Sequence, residues 1–244
     1  LAGEAVLTHE ERAERLQLLQ RLRKDALTAA GVGIVFAALF LGGLWLLFRL
    51  PPASSPDDEI LAFYAGGGIR PVLVGGLYVL PLAAVAFMWF VALIRSWFRF
   101  RTDRFTGVFS TVQLFSAGTF VTLVLCGAGA ASVIAAGVDL AGMAVDPDSA
   151  RQFPVLAREL VMIFAMRMAA IFVMTTATIG AQAELFPKWF RIASIAVALA
   201  LFLASSLSYT LVALFPLWVL ALCALIIHGS RRLTVDSHLP DPRD

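Results

Sequence analysis

A single arginine, Arg167, interrupts a long apolar run: seven uncharged residues separate it from Glu159 and sixteen separate it from Glu184. Two chemistries suit a guanidinium in such surroundings. It can staple helices together by donating to carbonyl oxygens, or snorkel toward Glu159, or it can be the fixed cation of a site for a carboxylate or lipid headgroup. Prolines would supply acceptors. Pro81 and Pro216 each lack an N–H, which leaves the carbonyls of Leu77 and Val212 without a helical donor. Counted from Glu159, Arg167 lies eight residues, about 12 Å, below the outer surface. Both prolines fall at similar depth, with Tyr78, Ser132 and Ser205 within a turn or two. Along its own helix Met174, Thr178 and Gln182 share the face of Arg167 within about 60°, and Gln113 offers a further inner contact. The expected polar node is therefore Arg167, Tyr78, Pro81, Ser132, Ser205, Pro216, Thr178, Gln182 and Gln113.

The elements that must position this node follow from the segregation of charge. Of 244 residues 60% are hydrophobic and 15% charged, against roughly 25% charged in a soluble domain, and the mean hydropathy is +0.85. A crossing needs about 20 apolar residues to cover about 30 Å of hydrocarbon. The uncharged stretches predict an all-α, polytopic membrane helix bundle with six transmembrane helices at about 26–48, 71–94, 105–138, 160–181, 190–206 and 209–228. The last two come from one 39-residue stretch, about 58 Å as a helix, with a turn expected at Ser205, Ser206, Ser208 and Tyr209. Residues 1–25 are expected to form a cytoplasmic or interfacial amphipathic helix, with Thr8 and Glu11 as a capping box and Leu16, Leu19 and Leu22 as its apolar stripe. It either extends the first span or binds a partner or anionic lipid. Residues 231–244, with Pro240 and Pro242, are expected to be a disordered cytoplasmic tail.

Charge asymmetry fixes the expected orientation. With six spans and both termini cytoplasmic, 14 Lys and Arg lie inside, and only Arg49, Arg70, Arg151 and Arg158 lie outside. Breaking the third span at Cys126-Gly127-Ala128-Gly129 would leave 11 inside against 7 outside, so the positive-inside rule favours six spans. Gly127 and Gly129, with Ala128, Ala130, Ala131 and Ser132, then form a small-residue face for close helix packing. The first apolar stretch lacks a cleavage-like end and is expected to remain as a span rather than to be removed as a secretory signal.

The chemistry that is missing narrows the function further. His9, His228 and His238 lie near the termini or at a span end, so neither a bis-histidine haem nor a histidine metal site is expected. No Asp or Glu falls inside an expected span, which deprives a proton relay or an intramembrane hydrolase of its groups. Cys126 and Cys223 fall in different halves of the bundle and read as separate free thiols. Met162, Met166, Met168 and Met174 point around their helix and read as core filling rather than a Cu(I) path. No catalytic residue, metal or cofactor is expected.

The blocks LPLAAVAFMWFVALIR (80–95), DRFTGVFSTVQLFSAGTFV (103–121), AMRMAAIFVMTTATI (165–179) and YTLVALFPLWVLALCALII (209–227) resemble those of a group of uncharacterised actinobacterial polytopic integral membrane proteins. The AMRMA block in the fourth span and the FPLWV block are the most distinctive. The resemblance implies a bacterial multi-pass protein and assigns no activity. An Arg-rich basic set, 17 Arg to two Lys, agrees with a GC-rich bacterial genome. The expectation is an integral plasma-membrane protein that is no enzyme and acts as a structural or accessory subunit; the alternative is a small-solute or anion permease, or ligand-binding membrane protein, with its polar site at Arg167. Its expected partners are membrane lipids and either another copy of itself or another membrane protein, not nucleic acid.

Overall fold

Backbone groups in hydrocarbon have no water to bond, so apolar runs of this length must satisfy their hydrogen bonds within themselves. The computed structural model describes residues 9–99, 107–204 and 209–235, and there it is helical, with no strand among the described residues. Helix α1 (His9–Leu47) is one rod of 39 residues. The charged segment from His9 on is thus continuous with the first apolar run, while Thr8 lies outside the described residues. After a short turn, α2 (Asp57–Ala65) starts on three acids, Asp57, Asp58 and Glu59, which suit the positive end of its dipole. Next, α3 (Ile69–Val74) passes through a π-helical stretch, Gly75–Val79, into α4 (Leu80–Arg99). The widened turn sits just ahead of Pro81, where a helical hydrogen bond is lost.

Helix α5 (Val108–Ala141) runs unbroken for 34 residues through Cys126-Gly127-Ala128-Gly129. It stops at Gly142, whose φ of 62° lets the chain turn back, with Met143 N donating to Gly137 O at 3.1 Å. Helix α6 (Pro147–Arg158) opens on Asp146, whose carboxylate accepts from Ser149 N at 3.0 Å, with Pro147 in the first turn. Through a π-helical stretch, Glu159–Ala165, it continues into α7 (Met166–Gln182). The fourth apolar segment is thereby part of a 36-residue helix beginning at Pro147, well before the expected start at 160. Helix α8 (Lys188–Leu199) follows, with a further π-helical stretch, Ala200–Ala204. A 3-10 turn, Tyr209–Ala213, then leads into α9 (Leu214–Val235).

Between α7 and α8 the chain reverses at Glu184, which has a φ of 55°, and Leu185 N donates to Gly180 O at 2.9 Å. The Phe186 ring lies on Gly180, where a Cβ would collide with it.

Among the described residues five helices are long and apolar enough to cross a membrane: Lys24–Leu47, Ile69–Arg99, Val108–Ala141, Pro147–Gln182 and Thr210–Gly229. The crossing expected over 190–206 is represented by the 12 residues of α8 and the five π-helical residues after it, which end beside the undescribed 205–208. Large apolar side chains point outward from the bundle, among them Trp45, Trp89, Phe115, Ile192 and Leu203, each more than half exposed. Water would penalise such a surface, whereas a bilayer favours it.

At the centre, rings from five helices interlock. Phe36 and Phe40 of α1, Phe87 of α4, Phe120 of α5, Phe172 of α7 and Phe215 of α9 are all fully buried. Their centroids approach to 4.8 Å for Phe36 and Phe87 and to 5.0 Å for Phe120 with Phe87 and with Phe215. Tilted and edge-on geometries of this kind favour each aromatic pair by about 0.5–1.5 kcal/mol beyond its burial.

A second apolar cluster joins α2, α3 and α6 to the C-terminal half of α5 through Ile60, Tyr64, Val72, Ala131, Ala135 and Ala157. Glycines permit the close approach: a Cβ on Gly127 would lie 3.2 Å from Ala157 O, and one on Gly76 would lie 2.9 Å from Ala128 O and collide with Ser132 Oγ. Gly129, by contrast, has open space around it.

Candidate functional site

Arg167 sits in the first turn of α7, directly after the π-helical stretch that follows Pro154. Its side chain is half-buried and makes no hydrogen bond or ion pair with any described residue. The other members of the expected node are dispersed. Tyr78 is 64% exposed on the π-helical stretch before α4. Ser132 is buried and donates within its own helix to Ala128 O at 2.6 Å. Thr178 likewise donates to Met174 O at 2.9 Å. Gln182 is exposed at the end of α7, Pro81 is half-buried, Pro216 is buried, and Ser205 lies outside the described residues.

Gln113 takes part in a different cluster. Its side chain is 0% exposed. Its Nε2 donates to Thr176 Oγ1 on α7 at 2.8 Å, and its Oε1 accepts from Arg95 Nη1 on α4 at 3.3 Å. The same Arg95 nitrogen donates to Ser110 O at 2.5 Å, and Ser116 Oγ donates back to Gln113 O at 3.0 Å. Three helices are thereby tied through one amide, which can both donate and accept where a carboxylate could only accept. On α8 and α9 a smaller buried link repeats the principle: Trp218 Nε1 donates to Ser194 Oγ at 2.9 Å, and Ser194 Oγ donates to Phe190 O at 2.7 Å.

Beside the Arg95 cluster, α4 and α5 diverge around a cavity of ≈ 510 Å³. Phe87, Val91, Ala117 and Val121 wall it, Met88, Ala92, Leu114 and Gly118 form its exposed rim, and Arg95, Ser96 and Arg99 close one end.

At the opposite end of α5 the carboxylates are exposed. Arg151 on α6 pairs with Asp57 at the start of α2, donates to Ser55 O at 3.0 Å, and reaches Asp148 at 3.5 Å. The Ser149 hydroxyl, then the Ser149 N–H, hold the Asp146 carboxyl below its ordinary value. Burial pushes the Tyr64 phenol up, and its hydroxyl has no hydrogen-bond partner. Arg49 stacks over the Trp45 ring at 4.1 Å.

Cys223 is buried and Cys126 exposed, both free thiols. Met162 and Met166 are buried, whereas Met174 is exposed. Among the described residues no three His, Cys, Asp or Glu side chains gather.

Sequence reasoning selected Gln113 but missed Arg95 and Thr176. The period of α5 carried a usable signal, because Ser110, Gln113, Ala117, Phe120 and Val124 recur at helical spacing and all are buried. Compared with protein-family models, with curated proteins and with solved structures, the chain matches none.

Proposed function

We propose that this chain is a non-enzymatic, multi-pass protein of a bacterial plasma membrane, crossing six times with both termini cytoplasmic, and that it serves as a structural or accessory subunit of a membrane assembly. Arg167 carries this reading. It is half-buried on a helix of hydrocarbon length and has no hydrogen bond or ion pair among the described residues. A central arginine costs about 2.5–3.5 kcal/mol on insertion and calls for acceptors. A carboxylate or an open carbonyl on a span of a second polypeptide meets that need. Phe164 and Met174, both exposed and both near the Arg167 face, would give such a span an apolar seat.

The phenylalanine cluster supports the same reading, since rings fill the centre where a permeation path would run. The excess of Lys and Arg on one set of connections supports the orientation.

The same guanidinium supports a second reading, a polar site for a small anion in a permease. Reconstituting wild type and Arg167→Ala separates the two. For an accessory subunit, both proteins fold with similar yield and neither passes anions, while in native membranes Arg167→Ala shifts the assembly to a smaller species on native electrophoresis. Anion flux by the purified wild type that disappears in Arg167→Ala would overturn the accessory reading and establish the permease.

A further inference from the structure

We propose that the groove between α4 and α5 binds one anionic phospholipid, its phosphodiester against Arg95 and Arg99 and an acyl chain along the apolar wall. This rests on the membrane reading above, with the arginine end of α4 at headgroup level in the cytoplasmic leaflet.

Three features of the groove agree on that occupant. The first is charge: among the described residues the lining holds two guanidiniums and no carboxylate. Arg95 and Arg99 stand four residues apart, hence on one face of α4. Arg95 is held in place through Nη1 by Ser110 O at 2.5 Å and Gln113 Oε1 at 3.3 Å, so its fork is oriented before any ligand arrives. Basic pockets between spans on the cytoplasmic side suit anionic headgroups.

The second feature is length. From Arg99 to Phe87 is twelve residues, about 18 Å along the helix, close to the roughly 15 Å depth of one leaflet's hydrocarbon. The charged end therefore lies at one surface while the apolar end reaches the bilayer centre, where Phe87 closes it by packing on Phe36, Phe120 and Phe215. A compact soluble anion would use only the arginines and leave the apolar length unfilled.

The third is access. Met88 and Leu114 on the rim are 59% and 51% exposed, so the groove opens sideways and an occupant would enter from the bilayer. A cavity of ≈ 510 Å³ lies within the roughly 300–1,000 Å³ usual for specific small-molecule sites.

Gly118 makes a clean test possible, because a Cβ there meets nothing within 4 Å. Gly118→Leu sets a branched side chain on the groove's rim from a Cβ that meets nothing, and it replaces a poor helix former with a good one. Arg99→Gln removes a charge from an exposed position. Wild type and both variants would be placed in nanodiscs of phosphatidylcholine containing a minor share of phosphatidylglycerol, released, and weighed by native mass spectrometry. Parallel thermal unfolding in detergent would compare added phosphatidylglycerol, phosphatidylcholine and inorganic phosphate.

Wild type is expected to retain one phosphatidylglycerol and to be stabilised by it alone. Arg99→Gln is expected to weaken retention about fivefold, and Gly118→Leu to abolish it. Equal retention of both lipids, or retention unchanged in Gly118→Leu, would show adventitious boundary lipid and overturn the proposal. Stabilisation by inorganic phosphate equal to that by phosphatidylglycerol would overturn it too, in favour of a soluble anion. Failure of wild type to retain phosphatidylglycerol, with the Arg167→Ala shift in assembly size still seen, would sink this inference alone; an unchanged assembly size in Arg167→Ala would instead count against the accessory reading.

Discussion

The two ends of α5 satisfy arginines in opposite ways. At its C-terminal end Arg151 meets carboxylates, Asp57 and Asp148, on exposed helix starts. At its N-terminal end the described partners of Arg95 include neutral acceptors, the Gln113 amide oxygen and the Ser110 carbonyl. The difference follows from the solvent. Where water screens both partners, an opposite charge is readily accommodated and contributes little net stability. Arg95 is only partly exposed, and inside the helix packing a neutral amide accepts a charge-assisted bond with far less desolvation than a second, buried carboxylate would need. What secures the exposed end is close backbone packing. What secures the buried end is a connected set of dipoles.

The sharpest way to break this comparison is Gln113→Ala, which takes one acceptor from the Arg95 guanidinium and removes the amide that donates to the buried Thr176 hydroxyl. A loss of about 3 kcal/mol is expected, read as earlier unfolding in mixed micelles. Combining Gln113→Leu with Thr176→Val should recover part of it, because removing both neutral partners costs less than removing one.

Gly76→Ala should come next. Its methyl would press on Ala128 O and Ser132 Oγ, with an expected cost of about 1–3 kcal/mol from overpacking. Relief by Ser132→Gly would confirm that the constraint is steric. Arg151→Gln should have a smaller effect, one that disappears when unfolding is repeated in about 1 M salt. An undiminished effect in salt would place the value of Arg151 in its bond to Ser55 O instead.

The smallest expected effect is a pH dependence at the start of α6. The folded Asp146 carboxyl titrates below its ordinary value of 3.8, first because of the Ser149 hydroxyl and then the Ser149 N–H. Its contribution is therefore complete above that ordinary value and is lost as pH falls through the lowered folded value. Hydrogen exchange at the Ser149 amide, corrected for intrinsic rates, should lose protection in that acid window. In Asp146→Asn the protection should no longer vary with pH there.

Much of the fold was legible because hydrocarbon imposes a length: the uncharged stretches at 26–48, 71–94 and 105–138 all lie mostly within helices that can cross a membrane. The start of the fourth helix was not, since Arg151, Arg158 and Glu159 interrupt the apolar run while the backbone continues through them from Pro147. Asp146-Pro147 with Ser149 is nonetheless a recognisable helix start.

The polar site was harder to read, because counting along a helix gives depth but not the direction in which two helices face each other. Thr178 shares the face of Arg167, yet Thr176, two residues earlier and turned away, is the one that reaches Gln113. Arg167 makes no bond to the carbonyls expected at Pro81 and Pro216, and both prolines lie close to a π-helical or 3-10 stretch that adjusts the backbone locally.

The reversal between α7 and α8 turns on Gly180. Phe186 rests on it while packing at 6.0 Å from Phe98 and 5.2 Å from Phe190, so this ring gathers the ends of α4, α7 and α8. Any other amino acid at 180 would lever that aromatic outward and swing the departing helix with it. The heading on which the chain sets out after its fourth apolar helix is thus encoded by a missing methyl group.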